Sequence, residues 1–166
     1  EQSPTYGAFS AEWLLLAHAI ALGMRAQGLA NAALQRLSEF GTFLSWITDK
    51  RGNIPRIGDD DEGRVVFGEK DSNSYVASIK NAAISVCGNS LTDVPTCQSL
   101  RSAVLSLSGT SLRVPEANAT GVRTFLIGGY TVVKESADGK ECLLVFDHGP
   151  LGYLGIAAHG HADALA

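Results

Sequence analysis

Two histidines and an aspartate stand at alternate positions in AAHGHADALA, residues 157–166: His159, His161 and Asp163. On a β-strand, residues i, i+2 and i+4 project from one face. That spacing sets two imidazoles and a carboxylate side by side, a donor set that suits zinc and other transition metals. The small neighbours Ala157, Ala158, Gly160 and Ala162 leave room for a ligand. At most three donors are supplied, so a closed tetrahedral site needs another from elsewhere. The plainer alternative is a solvated strand end that carries histidines.

Other segments offer chemistry of lower specificity. GDDDEG, residues 58–63, gathers Asp59, Asp60, Asp61 and Glu62. It lacks the alternating DxDxDG order of an EF-hand. It reads as a solvated acidic loop or as a contact for a cation or for carbohydrate hydroxyls. DHGPLGY, residues 147–153, packs two glycines and a proline into a tight, shaped turn. It reads as an ordinary inter-strand loop, with His148 a candidate only by adjacency. Tyr6, on the first turn of an apolar helix, would ordinarily be a core or interface tyrosine, and His18 a packed helix residue. Cys87, Cys97 and Cys142 give no disulfide framework and no CxxC metal pair. Cys87 and Cys97 could bridge the loop between them, or remain buried free thiols.

These side chains need elements to hold them. Ser3-Pro4 reads as an N-cap followed by proline at the first helical position. Phe9, Trp13, Leu16 and Ile20 then recur at helical spacing, and Gly23 or Gly28 is expected to end that helix. A second helix is expected over residues 30–47, with Leu34, Leu37, Phe40, Leu44 and Ile47 on its apolar face and Gly52 as a C-cap. Residues 52–72 carry no helical period and form a loop too long for a mere connector; such loops are often functional. Two more helices are expected near residues 75–86 and 96–107. From Gly121 the texture becomes β-rich. TFLIGGYTVVKE and KECLLVFDH flank SADGK, a strong Asp-Gly hairpin signal. YLGIAAHGHA is a candidate third strand. Helices first and strands after predict an α+β chain, divided into a helical part over 1–107, a linker over 108–121 and a β part over 122–166. Three terminal strands leave an open edge and an uncovered face, so the chain reads as the middle of a larger protein.

Composition narrows the function classes. The chain has 166 residues, 45% hydrophobic and 18% charged, enough to build a core. A net charge of −4 argues against a nucleic-acid-coating surface, although a local basic groove can hide within that average. No apolar run reaches the roughly 18 residues of a transmembrane helix, and membrane insertion is not expected.

Four segments, in this order, resemble the heparinase II/III family of polysaccharide lyases. EQSPTY is similar to that family's E-x-S-x-x-Y segment, which opens a toroid helix. IPRIGDDDEGR resembles its Pro…Gly-Asp loop. GGYTVVKE resembles the first strand of its β domain. LLVFDHGPLGYLGIAAHGHADAL resembles its Gly-Pro…His-x-His-x-Asp signature, the most specific of the four. Residues 70–120 match only in texture. The resemblance implies the C-terminal part of an (α/α) toroid followed by the first strands of an antiparallel β-sandwich, with the active site in the cleft between them. It implies β-elimination at a uronic acid of an acidic polysaccharide. Tyr6 matches the catalytic tyrosine, His159 the active-site histidine and His161 a ligand of a divalent metal, zinc. Asp163 is a second-sphere or structural residue. The resemblance also implies a bacterial parent, periplasmic or exported. Gly7 departs from the pattern, standing where many relatives carry histidine. The asparagine and histidine that precede the tyrosine segment, and the later metal ligands, have no counterpart, so this chain by itself is expected to be inactive or nearly so. Two other readings remain: a metal-dependent hydrolase, which would call for alternating βα units, and a non-catalytic carbohydrate-binding or assembly module.

Overall fold

The computed structural model describes residues 3–58, 63–65, 72–87, 120–149 and 164–165. The first helix, α1, spans Pro4–Gly23. Ser3 caps it: the hydroxyl accepts from the Tyr6 amide at 3.3 Å, and Pro4 occupies the first turn, where its missing N–H costs nothing. The exit corrects the glycine expectation. Gly23 is still helical, Gly28 lies inside the next helix, and Arg25 takes the left-handed conformation at φ 58°. The amide of Ala26 reaches back to the Ala21 carbonyl at 2.8 Å and closes the turn.

Helix α2 spans Gln27–Ile47, starting three residues before the expected 30. Gly52 does adopt positive φ, +86°, but in the turn after the helix rather than at its end. Helix α3 spans Ser72–Cys87, slightly longer than the expected 75–86. The expected helix over 96–107 lies outside the described residues. The three helices pack on one another around Leu15, Leu37, Leu44, Ile47, Tyr75 and Ile79, all fully buried. Each such side chain contributes roughly 1.5–3 kcal/mol through burial. Cys87 is a free thiol in this core, donating to the Leu34 carbonyl at 3.7 Å, and burial pushes its pKa up to about 11. Cys97 lies outside the described residues, and Cys142 is exposed.

The strands are β1 Gly121–Phe125, β2 Tyr130–Ala137, β3 Lys140–Asp147 and β4 Ala164–Leu165, in one antiparallel sheet of order β1-β2-β3-β4. The Asp138-Gly139 hairpin forms as expected, with φ of 51° and 74°. The run TFLIGGYTVVKE is not one strand. It breaks at a turn over residues 126–129, so its front half ends β1 and its back half opens β2. Gly129, at φ +68°, makes that turn, and the apolar Leu126 and Ile127 that hide it in the sequence sit exposed at its tip. The expected strand over 153–162 lies outside the described residues. Among the described residues the fold is thus α+β, three packed helices joined to an antiparallel sheet.

Register places Phe125, Tyr130 and Asp147 in one row, Arg123, Val132 and Val145 in the next. This face meets α2. Phe43 packs edge-on against Phe125 at 5.2 Å between ring centres and against Tyr130 at 5.1 Å. Lys134 crosses from β2 to the last turn of α2, where its ammonium donates to the Thr48 carbonyl at 2.6 Å and the Ser45 carbonyl at 3.3 Å. A cation there also meets the negative end of the helix dipole. Glu141 stands 3.8 Å from the same ammonium. Replacing Lys134 by methionine keeps the stem and strands both carbonyls and the carboxylate. We expect denaturant unfolding to show a loss of about 2–3 kcal/mol, against little change for Arg36→Ala, whose ion pair with Glu39 is solvent-exposed. Equal effects would remove Lys134 from the junction's energetics.

Candidate functional site

Tyr6 is placed by the cap that starts α1. The three-residue step from Ser3 to Tyr6 is the spacing at which an N-cap side chain reaches a backbone N–H, so the serine fixes the tyrosine on the first helical turn. Ser3 is buried and Tyr6 half-buried. The glycine at position 7 has a local cause. A Cβ there would lie 2.7 and 2.9 Å from the ring of Phe40, so the space a histidine would use is filled from α2.

A second constellation surrounds the end of β3. Asp147 is buried; its carboxylate accepts from the Gly149 amide at 3.0 Å and from the Tyr130 hydroxyl. Burial, then the Asp147 charge and this hydrogen bond, push the Tyr130 phenol well above the ordinary range, so it stays a proton donor. His148 is exposed. Its Nε2 pairs with the Thr131 hydroxyl at 3.0 Å and its ring lies 5.6 Å from Phe146. Asp147, His148 and Gly149 are thus each hydrogen-bonded where β3 ends, and the rest of the DHGPLGY stretch lies outside the described residues. That stretch leads directly into the segment that carries His159 and His161.

The two constellations are joined by aromatic rings. Gly7 abuts Phe40, Phe40 stacks on Phe43 at 6.0 Å, and Phe43 touches Phe125 and Tyr130. The start of α1 and the Asp147 turn are two ends of one aromatic wall that crosses from helices to sheet.

A third group was not singled out in the sequence. Glu12, 1% exposed, accepts from the Val65 amide at 2.9 Å and the Tyr75 hydroxyl at 2.8 Å, and the Arg64 guanidinium lies 5.0 Å above the Tyr75 ring. A buried carboxylate demands such donors. Glu12 thereby ties the long loop to α1 and α3. Its signal was available: it is the only acid in a helix of 20 residues that has no lysine or arginine.

Below the sheet, a groove of ≈ 760 Å³ runs between the segment after α2 and the β2–β3 hairpin, with Asp49, Lys50 and Arg51 on one wall and Lys140 and Glu141 on the other. It lies within the size range of ligand sites.

Asp59, Asp60, Asp61, His159, His161 and Asp163 lie outside the described residues, so their mutual arrangement is not part of this geometry. Among the described residues, no group of three or more histidine, cysteine or acidic side chains could hold a metal. No helix among them is long and apolar enough to cross a membrane. Comparison of the chain with family models, with curated proteins and with solved structures returns no match.

Proposed function

We propose that this chain belongs to a polysaccharide lyase that cleaves a uronic-acid-containing polymer by β-elimination, with Tyr6 and His159 as the reacting groups. The observation that carries the reading is the seat of Tyr6. It sits on a capped first turn, at one end of the aromatic wall whose other end is the Asp147 turn that precedes the HxHxD motif.

The chemistry follows from the substrate. The C5–H bond beside the carboxylate breaks, the C4–O glycosidic bond breaks, and a C4–C5 double bond forms. An ionised carboxylate resists the negative charge that builds on it. Donors such as the His159 imidazole offset that charge in the enolate-like transition state. Tyr6 gives its phenol proton to the departing oxygen, the role of a general acid. In its ionised form the same oxygen can take the C5 proton. A divalent ion, zinc on this reading, would be held in part by His161 and would serve to position the neighbouring groups rather than to activate water.

Two features of the fold favour this reading over a hydrolytic barrel. Among the described residues, helices precede an antiparallel sheet, with no βα alternation. Helix α1 is largely apolar and exposes Trp13 and Ile20 by 55% and 61%, and Met24 just after it by 74%, the character of a helix that belongs to a larger helical array. That is the setting a toroid provides.

The test is product formation. The full-length protein, incubated with alginate-like, heparan-like and bacterial exopolysaccharide substrates, should generate a chromophore from the new double bond on at least one of them. Binding without any unsaturated product would assign the chain to a carbohydrate-binding module instead.

A further inference from the structure

The groove beneath the hairpin has a charge pattern that its composition conceals. Its two carboxylates are engaged in holding the fold. Asp49 accepts from the amides of Arg51 at 2.8 Å and Asn53 at 2.7 Å on one oxygen and from the Asn53 side chain at 3.0 Å on the other. Burial acts to raise its pKa, but these bonds outweigh it and hold the carboxyl below the ordinary value. Glu141 accepts from the Lys50 amide at 2.6 Å and faces Lys134 at 3.8 Å.

Two cations are engaged as well. Lys134 is bound to the end of α2, and Lys50 donates to the Ser136 hydroxyl at 2.5 Å. Arg51 and Lys140 are different. Their side chains are exposed on opposite walls and make no ion pair among the described residues. Lys80 of α3 lies outside the groove's lining, and burial and the neighbouring Lys134 push its pKa down, with Asp49 partly opposing, so the groove's charge rests on its own side chains. The local balance is therefore cationic in a chain whose net charge is −4. Between the walls Ile54, Pro55, Leu143 and Val145 supply an apolar floor.

We infer that this groove binds the carboxylates of an acidic polysaccharide, with Arg51 and Lys140 clamping a uronate from either side. The floor takes the C–H face of a sugar ring. The two exposed cations take its charge, Arg51, whose charge also acts on Asp49, with the paired N–H geometry that suits a carboxylate. The identity of the polymer rests on the lyase reading; the cationic groove does not. The site would hold sugar units flanking the one that reacts and would set the register of the chain.

The test is calorimetric titration of the full-length protein, carrying Tyr6→Phe to stop turnover, with a β-1,4-mannuronate hexamer, with neutral β-1,4-mannohexaose and with sodium sulfate. The hexuronate should bind, more weakly as salt rises, and the neutral hexamer should not. Arg51→Ala with Lys140→Ala should weaken binding by at least about tenfold, the equivalent of 1.4 kcal/mol. Both side chains are exposed, and an unchanged thermal melt shows that the variant folds. No binding of the hexuronate, equal binding of mannohexaose, displacement of the hexuronate by sulfate at matching concentration, or a double variant within twofold of the parent would each overturn the inference. The two proposals fail separately. Unsaturated product from a full-length protein indifferent to the double variant sinks only the groove. Groove-dependent binding without product on any uronate polymer sinks only the lyase.

Discussion

On the proposed lyase reading, Tyr6→Phe in the full-length protein should lower turnover on a uronate polymer by roughly 10²–10⁴-fold, the usual worth of a positioned general acid or base. Affinity for the polymer should stay within about threefold, because the substitution removes one proton-transferring atom and leaves the ring. The cap argument makes the variant informative. Ser3 binds the backbone amide of residue 6 and not its side chain, so phenylalanine keeps the helix start intact. A thermal melt run alongside separates lost folding from lost chemistry. A variant whose rate stays within fivefold of the parent would remove Tyr6 from the reaction. A variant that loses binding together with rate would make it a binding residue only.

Much of the local architecture was legible because it is written in neighbouring residues. Ser3-Pro4 starts α1 and Asp138-Gly139 closes the hairpin, since caps and tight turns are decided within about four residues. Helical periodicity found α2 and α3 to within a turn. The misses share a cause: each depends on what lies across space. Arg25, not a glycine, takes the left-handed turn after α1, because the amide of Ala26 finds the Ala21 carbonyl. Leu126 and Ile127 look like strand interior, yet they cap an exposed turn between β1 and β2. Glu12 stood in plain view, but only the approach of Tyr75 and Val65 shows what a buried carboxylate is doing there.

The candidate site divides the same way. Tyr6 and its capping serine are a local motif and could be read from EQSPTY. The groove could not, since its walls lie some 90 positions apart in the chain: Lys50 and Glu141 meet with a sequence separation of 91. Net charge gave no hint of it either. A sum over the whole chain hides a place where the carboxylates have been turned inward to hold backbone amides and the cations have been left facing out.

The second large effect falls on a residue with no side chain. Gly129→Ala should destabilise the protein by about 2–4 kcal/mol, the sum of a left-handed conformation and a backbone collision. Gly129 sits at φ +68°, and a Cβ there would overlap the Cα of Gly149 and stand 2.5 Å from its amide nitrogen. That neighbour is backbone, which cannot rotate aside as a side chain would. The Gly129 carbonyl also accepts from the His148 amide at 2.7 Å, so the two turns are bonded as well as touching. Gly139→Ala is the matched comparison. It has φ +74° but open space around its Cβ position, so it carries the conformational cost alone, roughly 1–2 kcal/mol. Urea unfolding of both variants isolates the close approach as the difference between them; equal losses would show that the approach costs nothing. The functional consequence is then specific. Moving Gly149 breaks its bond to Asp147, and Asp147 is what anchors the Tyr130 hydroxyl. On the proposed lyase reading, Gly129→Ala should therefore reduce turnover even under conditions where the protein remains folded, and Gly139→Ala should not.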